Sequence, residues 1–488
     1  MKNRVKFAAI VAALQLGLTA PLAAQSGEII TKQYDTGGVY EGEFLNGMQH
    51  GQGTYRLPNG YEYTGQWVEG RIEGQGEARF PNGSVYVGAF MNGRPEGQGR
   101  ITFADGGTYE GEWVDGKITG SGTAVYANGV IYTGDFVDAV HEGFGIMTSP
   151  NGYIYEGQWV GGVKDGTGKI TYPDGAIYEG TLVRGERAGT GTLSLPDGLV
   201  YTGEWAGGQI NGEGVLIQPN GDRYEGTMVN GQREGNGVAV YASGDRYEGS
   251  FRADQRHGQG TFTGTDGYAY TGNWVEGKMQ GAGRVVYPDG SVYEGEFEND
   301  LAHGTGKITY PDGSSYEGSW VNGVIEGSGI ARYADGLVYE GEFRNARNHG
   351  IGTMTHENGY QYTGEWVDGL REGQGVATYS DGTVYSGNFT AGQRDGFGTI
   401  LMPEETVVLA DGTSTTGRFE YEGEWSAGVI NGEGTARYPN GDVYTGVFLD
   451  GQRHGRGTMQ YATGDVYDGF WLNGRQATEE DAAAAGAN

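Results

Sequence analysis

Tyr109-Glu110-Gly111-Glu112-Trp113 is the stretch on which the reading of this chain turns, because it returns, slightly varied, every 23 residues. Its tyrosine recurs at Tyr40, Tyr63, Tyr86 and Tyr109, then without a missed step to Tyr385, giving sixteen copies. A 36-residue gap follows, and Tyr421, Tyr444 and Tyr467 complete nineteen. A fixed period of this size means a repeat array in which each unit rests mainly on its neighbours. Within the stretch, the two-residue period of a strand sorts the side chains: Tyr109, Gly111 and Trp113 face one way, Glu110 and Glu112 the other. The glycine between two large rings lets them lean over bare backbone.

The residues on either side supply the turns. Pro173-Asp174-Gly175 has close relatives at this place in almost every unit, such as Pro58-Asn59-Gly60 and Pro288-Asp289-Gly290. Proline at the second turn position and glycine at the fourth suit a type I turn with a glycine bulge, which closes a hairpin. A three-residue loop here pairs Tyr172 with Ala176 and Ile170 with Tyr178, and it gathers Ile170, Tyr172, Tyr178 and Leu182 on one face. A two-residue loop would mix apolar with polar residues, so the first register is adopted. The second connection, Trp113 to Gly122, reads as a longer loop with left-handed or bulged glycines. One position in it holds His50, Glu73, Thr119, Asp165, Asn211 and His257. This variation marks it as the place where contacts with a partner would be tuned.

The aromatic four residues after each repeat tyrosine nearly alternates between Phe and Trp, and all nine tryptophans lie there. The alternation slips at Met228 and Phe251, which reads as a seam left by one added or deleted unit. Residues 1–24 read as a secretory leader, with Lys2, Arg4 and Lys6 ahead of the apolar run Phe7 to Leu18 and small residues before Gln25. Residues 25–403 then hold sixteen repeats, 404–416 an insertion that enlarges one loop, 417–475 the last three repeats, and 476–488 a disordered acidic, alanine-rich tail.

Composition narrows the function. Ninety-eight glycines and 34 tyrosines at fixed positions argue for ordered β structure rather than disorder. A formal charge of −31 repels nucleic-acid backbones and disfavours association with anionic membrane lipid. With no cysteine there are no disulfides and no thiolate metal sites. His50, His257, His303, His349 and His454 share one repeat position, but equivalent residues in neighbouring units stand about 10 Å apart. They cannot share one zinc ion within a single chain. The four Gly-Lys pairs are followed by Ile or Met, so none completes a phosphate-binding loop. No Gly-x-Ser-x-Gly elbow occurs. No catalytic residue, cofactor site or metal site is expected.

Units such as Tyr109 to Lys117, followed by Gly120-Ser121-Gly122 and Ala127-Asn128-Gly129, resemble MORN repeats over residues 34 to 475. The resemblance implies an all-β fold: about nineteen β-hairpins stacked into an elongated, single-layer antiparallel sheet with a trough. Trough-lining would fall to the repeat signature: Tyr109, Gly111 and Trp113; Tyr155, Gly157 and Trp159; Tyr201, Gly203 and Trp205; Tyr293, Gly295 and Phe297; Tyr339, Gly341 and Phe343. It also implies a scaffold, often dimeric. The expected function is a non-enzymatic, exported scaffold, periplasmic or secreted if the source is bacterial, that binds protein partners at the cell envelope, a second copy of itself among them. The alternative is a lipid- or glycan-binding array that uses exposed rings.

Overall fold

The computed structural model describes residues 28–409 and 411–484. The leader assigned to residues 1–24 lies outside them. The described residues hold 39 strands and one six-residue helix, Glu479–Ala484. None of their helices is long and apolar enough to cross a membrane. The chain divides into two units, the first ending at Ile210 and the second beginning at Asn211. Within each unit successive strands pair antiparallel in sequence order, forming a β-hairpin solenoid.

One repeat is a seven-residue strand, Thr108–Val114, and a nine-residue strand, Lys117–Val125. The first is buried at Tyr109, Gly111 and Trp113 and exposed at Glu110, Glu112 and Val114. At the Pro-Asp-Gly end, the Gly175 N–H donates to the Tyr172 carbonyl at 2.9 Å and the Tyr172 N–H to the Ala176 carbonyl at 2.8 Å. Gly175 has φ +89°, the left-handed value a glycine bulge requires. Ile170 stands opposite Tyr178, as the apolar sorting predicts.

The opposite end corrects the sequence reading. Trp113 to Gly122 is not a long loop. Asp115 and Gly116, at φ 51° and 81°, form a two-residue type I′ turn, and Val114 pairs directly with Lys117. The residues read as loop belong to the second strand. Trp113 faces Ile118 while Gly111 faces Gly122, so the second strand carries two extra residues as a bulge, with Gly120 at φ +95°.

Two further readings change. The insertion at 404–416 does not enlarge a loop but lengthens both strands of one hairpin, Gln393–Val408 and Ser414–Ser426. Its rungs pair Glu404 with Arg418 and Thr406 with Thr416. The tail is helical at Glu479–Ala484, not disordered there, because Thr478 caps it. The Thr478 hydroxyl accepts from the Asp481 N–H at 3.1 Å and donates to the Asp481 carboxylate at 2.7 Å, and Ala482 is fully buried. Residues 485–488 lie outside the described residues.

Candidate interaction face

A single sheet layer must cover its apolar face with its own side chains. Here the rings tile one another. Tyr109 meets Trp113 of its own strand at 5.7 Å and Phe136 of the next repeat at 5.1 Å, both edge-on. Edge-to-face packing at this distance is the favoured aromatic geometry. The ring lies across the facing pair Gly111 and Gly122. A Cβ on Gly111 would stand 2.5 Å from the Gly122 Cα and 2.5 Å from the Tyr109 hydroxyl oxygen. That hydroxyl donates to the Glu112 carbonyl at 3.0 Å, and burial pushes its pKa up to about 12. Each of the nine tryptophans donates its indole N–H to a glycine carbonyl of the preceding hairpin, Trp113 to Gly99 at 3.2 Å.

The repeat tyrosines and their partner rings are therefore buried, except Phe44 and Tyr467 in the first and last repeats, which are half-buried. Tyr155, Tyr201 and Tyr339 are fully covered, Tyr109 and Tyr293 nearly so, with Trp113, Trp159, Trp205, Phe297 and Phe343 beside them. Gly157, Gly203, Gly295 and Gly341 each face a glycine across the ladder, as Gly111 does. The signature forms the floor of this face rather than a wall of solvated rings.

What stands above the floor is set by the residue after the first one past each type I′ turn, which the sequence reading did not single out. In six hairpins it is arginine: Arg187, Arg233, Arg256, Arg371, Arg394 and Arg453. Arg187 lies 4.3 Å from the Trp205 ring of the next hairpin and donates to the Gly208 carbonyl at 2.8 Å. Arg256, Arg394 and Arg453 repeat this over Trp274, Trp425 and Trp471 at 4.1–4.4 Å. Arg371 covers Phe389 and also donates to the Tyr360 hydroxyl at 2.9 Å. Lys164 and His141 take the same place in two other hairpins, and burial lowers the pKa of each. The signal that would have found these lids was there: arginine recurring at one repeat position.

Elsewhere the lid is missing. Met279, Ala302, Ile325 and Asn348 occupy the position in four successive hairpins. A groove of about 620 Å³ opens over Met279, Ala302 and Ile325, lined by Tyr310, Trp320 and Leu301 among others. In the first unit a groove of about 540 Å³ opens over Pro95 and Ile118.

The variable position of the second connection has a structural role that the sequence reading missed. In most hairpins its side chain accepts a hydrogen bond from the next type I′ turn, although the buried Nδ1 of His454 has no partner. Glu326 accepts from the Asn345 N–H at 2.9 Å, Asp165 from Arg184 at 3.0 Å, and Asn211 from Asn230 at 2.8 Å. His303 and His349 accept through Nδ1 at 3.4 and 3.5 Å. Apart from Ala188, and Ala477 in the last hairpin, the residues that vary there all carry an acceptor, which is what this clamp between hairpins requires.

The fold and this face define a class: a β-hairpin repeat array whose units are joined through rings, lids and turn clamps. The MORN repeat model matches eighteen segments, from 40–60 through 444–466, broken only by short gaps and the insertion. The chain belongs to the MORN repeat family, which is generally non-enzymatic. No curated protein matches it. Among solved structures it is similar to the TCP domain of Drosophila melanogaster SAS-4, in complex with a proline-rich motif of Ana2, at 17% identity and a TM-score of 0.22, covering 36% of this chain and 90% of that one. The wild-type TCP10 domain of Danio rerio CPAP matches at 16% identity and a TM-score of 0.16, over 50% and 93%. A streptogramin B lyase matches at 12% and 0.11, over 60% and 91%. Likenesses at such TM-scores carry no functional argument.

Proposed function

We infer that this chain is a non-enzymatic, exported scaffold that holds protein partners at the cell envelope, a second copy of itself among the candidates. The observation that carries this reading is the burial of the ring floor. Rings packed on one another serve the array itself, whereas a glycan- or lipid-binding array needs solvated rings in a groove. Exposed aliphatic residues beside the type I′ turns, such as Val114, Val137, Val321 and Leu370, add apolar contact area along the hairpin edge. The leader-like residues 1–24 support export, and the −31 charge weighs against an anionic leaflet.

The test is capture from the envelope fraction with the processed chain as bait, beside flotation with anionic and neutral vesicles. Specific co-purifying proteins and no flotation are expected. Strong flotation with anionic vesicles at physiological salt, without divalent ions, would replace this reading with the lipid one. Full-length, unprocessed chain in the cytosol would end the export clause alone.

A further inference from the structure

Resting on the scaffold reading, we propose that the groove over Ala302 is a socket for an arginine side chain supplied by a partner polypeptide. The protein displays the bound state of this socket in its own lidded hairpins. There a guanidinium lies over the ring of the next hairpin and donates to a glycine carbonyl in the turn beyond, as Arg187 does with Trp205 and Gly208. At Ala302 the corresponding ring is Trp320 and the corresponding glycine is Gly323, and both line the groove. Ala302 sets only a methyl group there, and Trp320, 7% exposed, is a little more open than the tryptophans under arginine, at 2–5%.

Two observations add charge and polarity. Asp300 lines the groove in the turn just before Ala302; it stands to Met279 as Asp254 stands to Arg233, its ion-pair partner at 3.2 Å, so it brings a carboxylate to the groove from the neighbouring lid position. Its Oδ1 accepts from the Met279 N–H at 2.8 Å, leaving its second oxygen for a cation. Ser291 occupies the place that Tyr360 holds beneath Arg371, where the hydroxyl accepts from the guanidinium. Ser291 is 2% exposed and its Oγ has no hydrogen-bond partner. A ring face, a carboxylate, a carbonyl and an unpaired hydroxyl form the set that guanidinium binds best. Exposed Leu301 and Val324 beside them suit apolar neighbours of that arginine, so the occupant is a peptide segment rather than a free cation.

The probe is a fluorescein-labelled Gly-Leu-Arg-Leu-Gly amide, followed by anisotropy on the full processed chain, beside the same peptide with citrulline in place of arginine. Arginine should bind about tenfold tighter than its neutral isostere, the scale of a desolvated cation–π contact with a charged hydrogen bond. Ala302→Arg, which fills the socket from within, should remove that preference. Asp300→Asn, which keeps the acceptor for Met279, should reduce it severalfold. Equal affinity for the two peptides, an undiminished preference in Ala302→Arg, or no binding up to roughly millimolar peptide, the weak end of specific recognition, would overturn the proposal. Envelope proteins still captured by the chain in that case would leave the scaffold reading standing. Arginine preference without any captured protein would break the scaffold reading and keep the socket.

Discussion

The hairpins that carry Arg371 and Arg394 and those that carry Met279, Ala302, Ile325 and Asn348 share one floor and differ in one side chain above it. In both, a tyrosine lies over a glycine pair and a ring of the next hairpin packs edge-on against it. In the first, a guanidinium covers that ring and ties the turn beyond; in the second, a groove opens. The floor and its cover are therefore separable. One repeat position can change what a hairpin shows to its surroundings without changing how the hairpin folds. An array can vary its contacts along a constant frame in this way.

The sharpest break of that comparison is at the floor, where the two regions should fail alike. Gly295→Val in the bare run and Gly387→Val in the lidded run each place a branched side chain against the facing glycine and the tyrosine hydroxyl. Each should cost about 1–3 kcal/mol or more, the range of overpacking in a tight core. Hydrogen exchange around each site measures it, with the loss confined to adjoining hairpins. Tolerance of valine at either glycine would show that the floor is not common to both.

Alkaline titration tests the same floor chemically. Burial raises Tyr109, Tyr316 and Tyr385 to about 12, above the ordinary value of 10.0. The folded state holds these protons more tightly than the unfolded state. The stability they contribute is whole below pH 10.0 and is lost as the pH rises towards about 12. Tyrosinate absorbance from the floor should appear together with loss of the far-UV β signal. Smooth ionisation near 10.0, with the fold intact, would mean the rings are open to solvent.

The contrast also explains what was legible in the sequence. The 23-residue period, the facing of Tyr109 and Trp113, and the Pro173-Asp174-Gly175 turn all follow from local patterns and strand parity. The type I′ turn at Asp115-Gly116 was readable too, but Gly120 and Gly122 drew the eye into a longer loop. In fact one glycine serves a bulge and the other lies beneath a tyrosine ring. The lids and clamps were harder to see because each joins residues 18 to 21 positions apart in different hairpins. Such contacts exist only once the stacking of hairpins is known. Thr478 could have been read as a cap, yet the alanines after it looked like a frayed end.

The lid itself should have a smaller effect than the floor. Arg371→Ala removes a ring contact and two hydrogen bonds, at 2.9 Å to Tyr360 and 2.5 Å to Gly392. A loss of about 1–2 kcal/mol is expected, because the side chain remains partly solvated. Arg371→Lys should recover only part of it, since an ammonium cannot stack and fork at once. Faster exchange at the turn beyond, with the ring floor unchanged, is the expected pattern. Equal losses at floor and turn would mean that cover and floor are not separable.

The smallest effect is at the turn clamp, where a natural contrast exists. Glu326 accepts from the Asn345 N–H at 2.9 Å, whereas Ala188 at the same repeat position has no acceptor to offer its next turn. If the position serves acceptance rather than charge, Glu326→Gln should change stability by less than about 0.5 kcal/mol, and Glu326→Ala should cost about 1 kcal/mol. Ala188→Glu should restore the bond to the Gly207 turn for a gain of about 0.5 kcal/mol, trimmed by the entropy of ordering the new side chain. Amide exchange at Asn345 and Gly207 reads the three variants directly. A glutamine as costly as alanine would show that the carboxylate acts through its charge, and the variability of this position would then need a different cause.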